Sequence, residues 1–275
     1  MRRGRLGAEE GAAAPSPRGP GQRRPGWQAL REKRRRGIFL LPSLLTTGNL
    51  FCGFLGLLLT AQHRYAEAAL AILVAIVMDI LDGKVARLTK TTTQFGVEYD
   101  SLADVVSFCV APAFLLYAWA LSQLGRAAWL AGFLFVICGA LRLARFNIAS
   151  PSADRRYFVG LPTPAAAGLA AAVVLLREGE DLARWELVAI SAATYLVGLL
   201  MVATFRYWSF KEVDFARRRP FGVIVVVVLG VLIVATHPQF FLFCLFGVYV
   251  LSGPVRRLWM RKREPVATTA GPDQK

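Results

Sequence analysis

Asp79-Ile80-Leu81-Asp82-Gly83-Lys84-Val85-Ala86-Arg87, eight further residues, Gly96, three residues, Asp100, three residues and Asp104 form the stretch that decides the fold. Asp79 and Asp82 stand at i, i+3, and Asp100 and Asp104 at i, i+4, so on helices each pair shares one face. The segments before and after this stretch are apolar enough to enter lipid. The polar residues 88–95 between them read as a short turn. Two helices joined there aim four carboxylates at one point. An acidic residue at the centre of a membrane helix costs roughly 2.5–3.5 kcal/mol, so four together require a partner. Lys84 and Arg87 are the nearby cations, and two cations do not neutralise four carboxylates. A metal site is the reading that remains.

The 275 residues are 55% hydrophobic, with a mean hydropathy of +0.46, which places the chain among polytopic, all-α membrane bundles. Eight spans are expected, at about 38–60, 65–82, 97–121, 127–147, 162–176, 185–204, 221–236 and 238–255. The formal charge of +15 would ordinarily raise nucleic acid as a partner. Its distribution argues against that. With a cytoplasmic N-terminus, all but Arg64, Arg126, Arg177 and Arg184 of the 33 Lys and Arg residues fall on the cytoplasmic side, as the positive-inside rule requires. The same orientation puts both termini and the acidic stretch at the cytoplasmic face, where the surplus charge meets anionic headgroups. Cys52, Cys109, Cys138 and Cys244 lie inside apolar segments without a CxxC pair and read as packing residues.

Four regions follow. Residues 1–37 form a basic tail, disordered to about residue 26, in which Trp27–Arg36 has the pattern of a short helix lying on the membrane surface. Residues 38–215 hold six spans and the acidic stretch. Residues 216–258 add two spans, read as scaffold or oligomer contacts, and 259–275 are a polar tail. In the first span Gly48, Cys52 and Gly56 repeat at i, i+4, a small-residue face for close packing. Thr46 and Asn49 are either part of that packing or reach a bound polar ligand. Pro112 should kink the third span. Arg142, Arg145 and Asn147 close the fourth span, either snorkelling to headgroups or forming an anion site beside the carboxylates.

Carboxylate oxygens suit hard divalent ions such as Mg²⁺ and Mn²⁺, and several aspartates at a membrane boundary fit a two-metal site for phosphoryl chemistry. Gly83 and Gly96 would let backbone approach a nucleotide or diphosphate, Ala86 would leave it room, and Arg87 would clamp a phosphate. A site at this depth implies a lipid substrate.

The eight fixed positions Asp79, Asp82, Gly83, Ala86, Arg87, Gly96, Asp100 and Asp104 resemble in full the signature of the CDP-alcohol phosphatidyltransferase family. Leu41–Asn49, Leu141–Asn147 and Phe158–Pro164 resemble most the integral-membrane, serine-using branch of bacteria and archaea. The likeness covers about residues 38–215. It implies a transferase with CDP-diacylglycerol as donor, L-serine as acceptor and two divalent ions, Mg²⁺ or Mn²⁺, in the plasma or inner membrane of a prokaryotic cell, and a homodimer by analogy. Asp79, Asp82, Asp100 and Asp104 would meet the metals, with Asp104 also the general base. Gly83, Ala86, Arg87 and Gly96 would line the CDP site, joined by Thr93, Thr46 and Asn49. Arg142, Arg145 and Asn147 would hold the serine. The same arginines suit glycerol 3-phosphate, so another acceptor stays open. A divalent-cation channel is a remote alternative, because the acids sit at one face and no polar path continues along the spans.

Overall fold

The computed structural model describes residues 25–89, 93–148, 157–208 and 237–261. Helices are α1 (Pro25–Ala61), α2 (Tyr65–Thr89), α3 (Gln94–Asp104), α4 (Ala111–Trp119), α5 (Arg126–Ile148), α6 (Thr163–Leu176), α7 (Arg184–Val202) and α8 (Pro238–Arg261). A π-turn, Val105–Val110, joins α3 to α4 without a break. Five segments are long and apolar enough to cross a bilayer: Ser43–Ala61, Gln94–Trp119, Arg126–Ile148, Arg184–Val202 and Pro238–Arg257. This is the make-up of an integral membrane protein. Helix α2 has the length, but Glu67, Asp79, Asp82, Lys84 and Arg87 make it more polar. Helix α6 has 14 residues, about 21 Å at 1.5 Å per residue, and is packed among its neighbours.

Five segments therefore meet the spanning criterion among the described residues, where the sequence suggests eight. The expected span 221–236 and most of residues 1–26 lie outside the described residues. Trp27–Arg36 is not a separate surface helix: its backbone continues into the first span as part of α1. The core is helical, with one addition. Tyr157–Val159 (β1) and Arg206–Trp208 (β2) pair antiparallel, Phe158 opposite Tyr207. Gly160 follows β1 at φ +84°, and a Cβ there would run into the Met201 carbonyl. Its N–H donates to Phe205 O at 2.9 Å, and Leu161 N–H donates to Leu200 O at 3.0 Å. The entry to α6 is thus clamped to the end of α7.

Helix α1 lies along α2, α5 along α7, and α6 between α2 and α8. The core of this packing is rich in alanine: Ala68, Ala75, Ala167 and Ala171 are fully buried. Small residues let helices approach closely where lipid supplies no hydrophobic drive between them. Gly56 behaves this way, since a Cβ on it would lie 3.5 Å from the Ala68 carbonyl oxygen. A closer approach between helical segments falls at Gly53. A Cβ there would stand 2.7 Å from the backbone Cα of Ser107, so α1 meets the π-turn backbone to backbone. Gly139 of α5 similarly receives Cys109 from the other side.

The irregularity in the third span begins before Pro112. The Ala111 N–H bonds Val106 O, an i→i+5 pattern. Proline lacks an N–H for the Phe108 carbonyl, and the π-turn directly upstream absorbs the disrupted ladder. It starts at the residue after Asp104.

Candidate active site

The acidic residues come from two helices that face one another across α1. Asp79 lies on α2, Asp100 and Asp104 on α3, and one oxygen from each of the three lies within 4.8 Å of the others. At an effective dielectric of ~20, two unit charges at that separation repel by roughly 3–4 kcal/mol. Three such pairs are not tolerated without cations or protons. The ion pairs among the described residues are Arg64–Glu67, Arg177–Glu180 and Arg177–Glu186, all remote from the cluster. Lys84 and Arg87 are exposed, and the Arg87 Nε donates to Gly83 O at 2.7 Å on its own helix. The cations nearest in sequence therefore do not neutralise the acids.

Helix α1 supplies the polar support. Asn49 is fully buried, and its Nδ2 donates to Asp104 Oδ1 at 3.0 Å. The Thr46 hydroxyl donates to Asp82 Oδ2. Thr46 and Asn49 are i, i+3 on one face of α1, which is how one helix serves both acids. Ser107 of the π-turn donates to the Asn49 carbonyl at 2.9 Å, fixing α1 against the segment that carries Asp104. Asp82 thus stands outside the three-carboxylate group, held by Thr46. It remains close enough to act electrostatically on Asp79 and Asp100.

Two buried oxygens, Asp100 Oδ1 and Asn49 Oδ1, have no hydrogen-bond partner among the described residues. Buried acceptors are rarely left so. Both belong to hard oxygen donors at the acidic cluster, the donor set that suits Mg²⁺, Mn²⁺ or Ca²⁺. The residues therefore fit a divalent ion. With Asn49 replaced by alanine, Asp104 loses this donor, and kcat should fall by about 10- to 100-fold, the equivalent of ~1.4–3 kcal/mol. Steady-state turnover at saturating substrates would show it.

The remaining sequence candidates divide. Thr93 is the N-cap of α3, its Oγ1 accepting from Gly96 N–H at 3.0 Å. A Cβ on Gly96 would lie 3.1 Å from that oxygen, so the cap itself accounts for both residues. Gly83 has open space around it and Ala86 is half-buried, leaving that face of α2 accessible. Arg142 is buried, and its Nη1 donates to Thr163 Oγ1 at 3.4 Å. Arg145 and Asn147 are exposed, and the Asn147 amide donates to Ser101 Oγ at 2.9 Å, tying α5 to α3. The structure thus separates Arg142 from the other two. Sequence reading missed Gly53, Ser107 and Thr163. Thr163 lies inside the stretch Phe158–Pro164 that carries the resemblance, but nothing in its spacing marked it as a partner of Arg142.

The helical bundle thus holds a carboxylate cluster that could bind a metal ion, braced by one polar helix face of α1. The chain belongs to the CDP-alcohol phosphatidyltransferase family, whose model matches residues 39–204 and so takes in every residue of the cluster. It is similar to the CDP-diacylglycerol–serine O-phosphatidyltransferase of Helicobacter pylori, with 35% identity over 224 residues, 81% of this chain and 93% of the relative. The enzyme of the same name from Methanocaldococcus jannaschii is 38% identical over 172 residues, covering 62% and 75% of the two chains. The archaetidylserine synthase of Methanothermobacter thermautotrophicus is 40% identical over 140 residues, 50% of this chain and 59% of its own length.

Proposed function

We propose that this chain transfers the phosphatidyl group of CDP-diacylglycerol to the hydroxyl of L-serine, forming phosphatidylserine and CMP. The observation that carries the reading is the meeting of Asp79, Asp100 and Asp104 beneath Asn49 and Thr46, in a chain whose relatives bear that enzyme's name. Two divalent ions, Mg²⁺ or Mn²⁺, would be held by Asp79, Asp82, Asp100 and Asp104. When bound they supply charge neutralisation at the diphosphate and on the departing CMP phosphate.

The protein's own residues then have separate tasks. Asn49 donates to one Asp104 oxygen, leaving the other to take the proton from the serine hydroxyl. The serine oxygen attacks the lipid-side phosphorus, the bond to the CMP phosphate breaks, and CMP leaves. Gly83 and Ala86 line the open face of α2 where the CDP moiety lies, and Arg87 swings from the Gly83 carbonyl to a phosphate. Thr46 fixes Asp82. Arg142, buried behind Asp104, offers its guanidinium to the serine carboxylate. The acyl chains stay in the bilayer beside α2 and α3, and the site opens to the cytoplasm, the side set by the Lys and Arg asymmetry.

Purified protein given CDP-diacylglycerol and labelled L-serine should release CMP and form labelled lipid in equal amounts. Excess EDTA should bring both to background, and Mg²⁺ or Mn²⁺ should restore them. Metal-dependent CMP release that ignores serine but follows glycerol 3-phosphate would replace the acceptor while keeping the transferase. Release unaffected by chelation would refute the metal site.

A further inference from the structure

Arg142 is the one buried cation among the described residues. It leaves α5 one turn after Cys138, on the same face. Its Nη1 contact to Thr163 is long at 3.4 Å, and its Nε is buried with no acceptor among the described residues. A guanidinium has five N–H donors, and the buried Nε–H is left for something bound. Asp104, Cys109 and Tyr249 lie within its electrostatic reach. Tyr249 comes from α8, beyond residue 204, where the match to the family model ends.

Helix α8 is keyed into place on both sides of Tyr249. Gly168 of α6 receives the Phe246 ring, and Gly253 of α8 receives the Tyr207 ring of β2. Any Cβ at either glycine would collide with those rings. The Tyr207 hydroxyl donates to Val250 O at 3.2 Å, and burial pushes that hydroxyl up to about 12, so it remains a donor. The Tyr207 and Tyr249 rings stand 5.7 Å apart. Val250 is buried in one apolar cluster with Cys138, Leu161 and Ala165, and Tyr249 packs against it. Helix α8 thus packs on α6, whose first residue Thr163 is the partner of Arg142.

We propose that Tyr249 is a specificity-determining residue of the acceptor site, holding the Arg142 guanidinium between itself and Thr163 so that its open edge meets the acceptor's carboxylate. The proposal rests on the serine transfer proposed above. It makes the C-terminal helix, outside the matched family segment, a wall of the acceptor pocket.

The test compares L-serine with L-serine amide, which keeps the hydroxyl and amine but lacks the carboxylate. The ratio of kcat/KM for the two is taken within one sample, so the amount of folded protein cancels. Wild type should favour serine. Tyr249→Phe keeps the ring against Tyr207 and removes only the oxygen. It should cut that preference about tenfold, ~1.4 kcal/mol, while KM for CDP-diacylglycerol stays within about twofold. Arg142→Lys should also cut the preference, and Tyr249→Phe in that background should add little, because both act through one guanidinium. A wild-type ratio near one, an unchanged ratio in Tyr249→Phe, or additive losses in the double variant would overturn the proposal. Failure of serine transfer itself shows differently: wild-type CMP release would be indifferent to serine, and the proposal would fall with it.

Discussion

Asp104→Asn is expected to lower turnover by at least about 10³-fold, within the range that a positioned general base contributes, while CDP-diacylglycerol still binds. The substitution is nearly isosteric. The amide oxygen can still accept from the Asn49 Nδ2 now 3.0 Å from Asp104 Oδ1, so α1 and α3 stay joined. Asp79, Asp82 and Asp100 remain. What is lost is the oxygen proposed to take the serine proton. CMP release and equilibrium binding of labelled CDP-diacylglycerol, measured on the same preparation, separate the two effects. Asp79→Asn should weaken donor binding more than Asp104→Asn does, because metal holding is the sole task proposed for Asp79, whereas Asp104 is proposed to share in it and to act as base. Activity within about tenfold of wild type in Asp104→Asn would remove Asp104 as the base.

Gly53→Val is expected to give the largest structural effect of any single substitution on α1. Even the first added carbon would meet the Ser107 Cα at 2.7 Å, and an isopropyl group has nowhere to go. Overpacking of this kind typically costs ~1–3 kcal/mol, and more where the obstacle is backbone, which does not rotate away. The consequence reaches the site directly. Pushing α1 off the π-turn breaks the Ser107–Asn49 carbonyl bond and draws Asn49 from Asp104. Turnover and thermal midpoint in detergent should therefore fall together. Gly53→Ala should show the same losses in milder form. Trimming Ser107 to alanine should not rescue it, since the Ser107 Cα and Cβ would still stand in the way. Full rescue would show the clash to be with the hydroxyl alone.

Both predictions turn on one junction, where α1 presses against the π-turn that follows Asp104. A π-turn inserts one residue into the helical repeat and so re-aims the side chains beside it. Here Asp104 faces Asn49 and the carboxylate cluster, while Ser107 and Cys109 face Gly53 and Gly139. The backbone defect at Pro112 is thereby resolved next to the carboxylate proposed to act as base, not in the lipid-facing half of the span.

The sequence by itself determined the class of structure and the identity of the acids. Helical spacing alone brings Asp79 to the face of Asp82 and Asp100 to that of Asp104, and lipid-compatible segments on either side leave few folds open to them. It also placed Thr46 and Asn49 on one face of α1, though not which acid each would meet. The tertiary structure decided the rest, because those partners lie 36 and 55 residues apart in the chain. It drew Asp79, Asp100 and Asp104 together while Thr46 held Asp82. It buried Arg142 while leaving Arg145 exposed three residues on, a difference set by the neighbours α6 and α8. Periodicity reports which residues share a face of one helix. Which face meets which neighbour is fixed by where glycines let backbones touch, and that is a property of the packed bundle.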